Sequence, residues 1–182
     1  IKKKYKFVLA DFGHGLFSNS ITKYLNSKKI HKYINCQSNS SNYGYNIFTK
    51  FVNGKVICVD ENEFRLSCQD RTREINFLIK KNKKLFQKYS NLVVTMGKNG
   101  CYFSNRDQIS FTPTIFKNQL DTVGSGDAFF VGMIICDHIN LLTDKEKSVI
   151  AHVFGGLHSN VFGNEKFIRK IDVINTLKYI LK

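Results

Sequence analysis

The stretch 119–132, QLDTVGSGDAFFVG, decides how the rest of the chain is read. Asp121 and Asp127 lie six positions apart, the small run Gly124-Ser125-Gly126 stands just before the second, and an apolar, helix-like segment follows at once. A glycine-rich turn entering a helix exposes backbone N–H groups at the positive end of the helix dipole. That combination binds anions, phosphate above all. Gly124 and Gly126 carry no side chain, so an anion can approach the backbone closely. Asp127 falls at the helix start, where a carboxylate is also a good cap, and a purely structural turn is the plain alternative. A capping Asp needs no Gly-Ser-Gly before it, however. A carboxylate beside an anion hole suits phosphoryl transfer: the base takes a proton from an alcohol while amides hold the charge developing on the migrating group.

Outward from this turn, strand and helix signals alternate. Residues 5–10 read as a buried strand, 32–36 and 55–59 as two more, and Leu92-Val93-Val94-Thr95 as a fourth, ended by Gly97. Helices are expected from Ser18 or Asn19 to about 27, over 45–51, from about Asp60–Asn62 onward, and over 72–88, where Ile75, Leu78, Ile79, Leu85 and Phe86 form an apolar stripe. Residues 101–104 and 108–112 pair as a hairpin around Asn105-Arg106-Asp107. Three helices follow: one to about 139, one over 143–162 and one over 172–181. The alternation predicts an α/β fold, a largely parallel sheet with helices on both faces. No repeat, linker or domain boundary is visible, so residues 1–182 read as one domain.

The net charge of +14 raises the question of nucleic acid or anionic membrane. The lysines are spread along the chain among many Asn and Ile. The two clusters, Lys2-Lys3-Lys4 and the run at 80–84, read as solvated surface, and no nucleic-acid recognition motif is present. No apolar run reaches the roughly 18 residues that span a bilayer. The five cysteines are scattered and odd in number with no CxxC, which predicts free thiols in a reducing cytoplasm.

The motif Asp121-Thr122-Val123-Gly124-Ser125-Gly126-Asp127-Ala128-Phe129 resembles the DTxGAGDxF signature of the PfkB, or ribokinase-like, sugar kinases, with Ser125 for the usual alanine. The resemblance implies a ribokinase-like fold, Asp127 as catalytic base, and the amides of Gly124, Ser125 and Gly126 as anion hole. It implies a place for Asp121 in holding a monovalent cation. Val93-Val94-Thr95-Met96-Gly97-Lys98-Asn99-Gly100 is similar to the family's strand and T-x-G-x-x-G, which assigns Thr95, Gly97 and Gly100 to the ATP side. Taken alone, Gly97 and Gly100 are plain turn residues. Asp60-Glu61-Asn62-Glu63 resembles the family's N-x-x-E, with Asp for Asn, and implies Asp60 and Glu63 at Mg²⁺. Two carboxylates at a strand end suit a hard cation, and they equally suit the start of a helix. The segment 151–164 resembles the small-residue helix lining the adenine pocket, which brings in Gly156 and Asn160. Gly155-Gly156 inside a helix costs about 1 kcal/mol per glycine, a penalty that close packing or a flat ligand would explain. His152 and His158 stand where the family has small residues and read as surface or packing.

Val8-Leu9-Ala10-Asp11-Phe12-Gly13-His14-Gly15 is similar to a strand end of the heptose 7-phosphate kinases and implies Asp11 and His14 near the substrate; a buried Asp cap is the plain alternative. The resemblance corresponds to the C-terminal, nucleotide-binding and catalytic portion of the family pattern. The initial strands and the lid are missing from it, so the chain is expected to be part of a longer polypeptide. The expected chemistry is ATP- and Mg²⁺-dependent phosphorylation of a sugar or sugar-phosphate hydroxyl in the cytoplasm. The reading admits a homodimer and a fused enzymatic domain, and assigns neither nucleic acid nor membrane as partner. The rival reading is a noncatalytic, degenerate kinase module that binds nucleotide or a partner protein.

Overall fold

The computed structural model describes residues 6–116, 119–139, 141–163 and 165–182. The Lys2-Lys3-Lys4 cluster, Tyr5 and Asn164 lie outside the described residues. Six strands are hydrogen-bonded in the order β1-β2-β3-β4-β5-β6: β1 (Lys6–Asp11), β2 (His31–Cys36), β3 (Gly54–Asp60), β4 (Asn91–Thr95), β5 (Cys101–Asn105) and β6 (Ile109–Thr112). The first four run parallel. The helices are α1 (Asn19–Ser27), α2 (Glu61–Cys68), α3 (Ile75–Lys81), α4 (Lys83–Phe86), α5 (Ser125–Asp137), α6 (Asp144–Ser159) and α7 (Lys170–Ile180). This is the mixed α/β, largely parallel architecture expected from the alternation of apolar runs.

The chain divides into two compact units, a division that no linker in the sequence announces. The first comprises residues 1–95 and 104–109, the second 96–103 and 110–182. In the first unit β2, β3 and β4 are near-continuous buried runs, as strands covered on both faces must be. An aromatic cluster packs there: the Phe48 ring stacks 6.0 Å from Phe86, which lies 5.2 Å from Phe64, and the Tyr89 hydroxyl donates to the Phe51 carbonyl at 2.8 Å. In the second unit α5 packs on α6, where the Phe129 ring meets the His152 ring edge-on at 5.1 Å and Phe129, Phe130, Met133, Ala151 and Val153 are buried. Gly132 permits that approach, since a Cβ there would come within 2.9 Å of the Ala151 Cα.

Three expectations are corrected. The strand expected over 5–10 is buried only in part over its described residues: β1 is the first strand in the sheet order, Leu9 is 4% exposed, and Phe7 and Val8 are 40% and 55% exposed. The single helix over 72–88 is broken at Asn82 (φ −98°, ψ 19°), whose N–H and side-chain amide both turn back to the Leu78 carbonyl. Asn side chains compete for backbone groups in this way and so end helices. The helix over 45–51 is only a 3₁₀ turn, Phe48–Lys50. Of the two cap residues the sequence offers for α1, the structure uses Ser18. The Ser18 hydroxyl accepts from Ile21 N–H at the start of α1, and Thr143 and Glu146 form a capping box before α6.

Candidate active site

Gly124 caps α5 in the left-handed conformation, φ 77° and ψ −6°, which glycine adopts without strain. The turn closes through Ser125, whose N–H and hydroxyl both donate to the Thr122 carbonyl, at 3.1 and 2.7 Å. Among the described residues no acceptor meets the N–H of Gly124 or of Gly126. A Cβ on Gly126 would find nothing within 4 Å. Two open amides therefore stand at the positive end of a helix, with space before one of them. Asp127, half-buried, is the acidic residue of the first helical turn.

The turn is clamped from behind by the C-terminal end of α6. The Leu120 and Asp121 N–H groups donate to the Ser159 carbonyl at 2.9 and 3.0 Å. The Asp121 carboxylate accepts from Val123 N–H at 2.9 Å and from Gly163 N–H at 3.1 Å. These N–H donors, with a smaller contribution from His158, hold the Asp121 carboxyl below the usual carboxylate range. His158 Nε2 lies 3.1 Å from the Val123 carbonyl oxygen. A carbonyl only accepts, so Nε2 carries the proton. The same nitrogen would stand 2.7 Å from a Cβ on Gly124.

The two glycines of α6 are explained by packing. A Cβ on Gly155 would meet the Ser125 carbonyl oxygen at 3.1 Å, and one on Gly156 would overlap the Phe116 ring. Asn160 caps α6, its side chain donating to the Gly156 carbonyl at 2.9 Å. Gly97 (φ 53°) faces open space, whereas Gly100 (φ 97°) lies so close to the Thr112 carbonyl and Pro113 that no side chain fits.

In the first unit, the Thr95 hydroxyl donates to the Val59 carbonyl at 3.3 Å. Asp60 and Glu63 form a capping box at α2: Asp60 accepts from Glu63 N–H and Glu63 from Asp60 N–H, both at 2.8 Å. The other Glu63 oxygen accepts from Ser38 N–H at 3.0 Å. Among the described residues no three His, Cys, Asp or Glu side chains gather as a metal cage. Asp11 is 3% exposed and ion-paired with Lys50, and it accepts from Gly13 N–H at 2.9 Å. His14 is exposed. Lys50, Phe116 and the clamping role of His158 escaped the sequence reading. Each acts on a residue distant in sequence and leaves no local pattern.

This turn stands on an α/β scaffold whose fold is ribokinase-like. The chain superposes with a TM-score of 0.63 on the crystal structure of a ribokinase from Thermotoga maritima, at 16% identity, covering 71% of this chain and 44% of that one. It does so with 0.62 on phosphofructokinase-2 from Escherichia coli in complex with substrates and products, at 14% identity, covering 74% and 43%. Residues 53–136 match the family model of the pfkB family carbohydrate kinases. Inositol 3-kinase from Arabidopsis thaliana is 30% identical over 76 residues, 42% of this chain and 21% of that protein. The chain thus spans about a fifth of the curated relative and less than half of the solved structures it matches.

Proposed function

We infer that residues 1–182 form the nucleotide-binding and catalytic portion of an ATP-dependent phosphotransferase acting on a sugar or sugar-phosphate hydroxyl. The observation that carries this reading is the pair of open amides at Gly124 and Gly126, three residues and one residue before the Asp127 carboxylate, inside the segment that matches the PfkB family. ATP would supply the phosphoryl group and Mg²⁺ would offset its charge. The residues fit both: a left-handed glycine turn with space before Gly126 suits a phosphate oxygen. Mg²⁺ keeps much of its water, so Asp60 and Glu63 suit it as acceptors for that hydration shell while still serving as helix caps. Asp127 would take the proton from the attacking hydroxyl as its oxygen bonds to the terminal phosphorus and ADP leaves, and the Gly124 and Gly126 N–H groups would hold the negative charge on the oxygens of the migrating phosphoryl group. Thr95, Gly97, Gly100, Gly156 and Asn160 belong to the nucleotide side of this reading, Asp121 to a monovalent cation, and Asp11 and His14 to the acceptor. A sugar of the heptose 7-phosphate type is the acceptor we favour, on the strength of 8–15.

Calorimetric titration of ATP–Mg²⁺ into the chain and into Asp127→Asn, with phosphotransfer assayed on pentoses, inositols, hexose phosphates and heptose 7-phosphate, tests the proposal. Unchanged nucleotide affinity with turnover lost only in the variant supports it. Nucleotide binding without turnover, in the chain and in any longer polypeptide that carries it, selects the noncatalytic module.

A further inference from the structure

The first unit contains a cavity of about 320 Å³, built from α3, α4, β4 and the β5–β6 turn and remote in sequence from the Gly124 turn. Its apolar wall is Ile79, Phe86, Tyr89, Leu92 and Ile109. Three cations, Lys80, Lys83 and Arg106, line it against one carboxylate, Asp107. None of the three cations forms an ion pair among the described residues. The cavity is preformed. Asn82 fixes the break between the lysine-bearing helices through its bonds to Leu78. The Asn105 side chain accepts from the Asp107 and Gln108 N–H groups at 2.9 and 2.7 Å, pinning the turn that carries Arg106. Asn76 also lines the cavity and has a buried side-chain oxygen with no donor. Such a buried oxygen is destabilising unless something donates to it.

We propose that this cavity binds a small organic acid: a carboxylate on a single-ring or branched apolar body that also carries a hydroxyl or amine. The volume lies at the lower end of the range for small-molecule pockets. The lysines and Arg106 meet the carboxylate, the aromatic and aliphatic wall covers the body, and the hydroxyl or amine supplies the donor that the Asn76 oxygen lacks. A bare phosphate would leave that wall wet, which argues for an anion with an apolar part. The site is independent of the phosphotransfer reading, since none of its residues has a role there.

The test uses 3-fluoro-4-hydroxybenzoate, followed by ¹⁹F NMR, with the 182-residue chain. Saturable binding is expected, poorly competed by inorganic phosphate. It should weaken about tenfold or more in Lys80→Gln/Lys83→Gln/Arg106→Gln, because bonds to charged groups are the strong ones. Binding should be unchanged in Lys23→Gln/Lys145→Gln/Lys178→Gln, which removes as much charge from exposed positions elsewhere. Equal loss in both triple variants would mean that only the general field of a chain of net charge +14 attracts the probe. That result, no saturation, or competition by phosphate as strong as by unlabelled 4-hydroxybenzoate would each overturn the proposal.

Discussion

His158 and Gly124 can be set against each other in a double-mutant cycle. Gly124→Ala has two consequences. It places a side chain at φ 77°, which costs roughly 1–2 kcal/mol for an L-residue. It also puts a Cβ 2.7 Å from His158 Nε2. The imidazole is the far end of a side chain and can swing away, but in doing so it gives up its 3.1 Å bond to the Val123 carbonyl, a loss of about 1 kcal/mol. The expected destabilisation is therefore about 2–3 kcal/mol, summing the two. His158→Ala alone loses only the bond, about 1 kcal/mol. In Gly124→Ala/His158→Ala the collision has no partner and the bond can be lost only once, so the double variant should be no less stable than Gly124→Ala. Urea unfolding followed by circular dichroism reads this directly, provided the slope with denaturant is common to all four proteins. A coupling of about 1 kcal/mol is well within what contacting residues show. Full additivity, with the double variant about 3–4 kcal/mol below the parent, would refute the assignment of His158 as the residue against which the turn is built.

Lys50→Met should destabilise the chain by about 3 kcal/mol in the same assay, because it strands the buried Asp11 carboxylate, and Asp11→Asn/Lys50→Met should recover part of that loss. His152 is 8% exposed, and burial lowers its pKa despite a bond from Nδ1 to the Ser148 carbonyl at 2.8 Å. The unfolded chain then binds the proton more readily, so the stability it contributes is present above the ordinary histidine value of about 6.5 and is lost as pH falls below it. Melting curves between about pH 7.5 and 5.5 should show that loss, flattened in His152→Gln; an unchanged slope contradicts it. All five cysteines are free. Burial, then Asp70, pushes the half-buried Cys68 up to about 11, and burial pushes Cys136 up to about 11 and Cys101 to about 12. At pH 8 the Cys68 thiolate is about a thousandth of the total, so a disulfide reagent should label the native chain slowly and all five thiols after unfolding. One fast equivalent in the native state would contradict this.

What was legible in the sequence was local. The Val56–Val59 and Leu92–Thr95 runs announce covered parallel strands because burial on both faces removes polar alternation, and the Gly-Ser-Gly turn announces a helix start because cap, glycine and apolar run lie within a few residues. Ser125 and Asp60 show the limit of that legibility. Both were read as ligand-facing, and both also close local structure: Ser125 ties its N–H and hydroxyl to Thr122, and Asp60 caps α2. A polar residue at a helix start can do both jobs, and only coordinates reveal how much of its bonding capacity the fold has already taken. The misreadings came from sheet order and long-range contact. Phe7 and Val8 are as apolar as a covered strand requires, yet both are exposed among the described residues. The Gly155-Gly156 pair is the sharpest case. Its helix penalty correctly signalled that something comes close, but a flat ligand and a flat side chain make the same demand on the sequence. The ring that meets Gly156 is Phe116, forty residues away in the chain. Any flat ligand using that face of α6 must therefore displace Phe116 or stack beyond it.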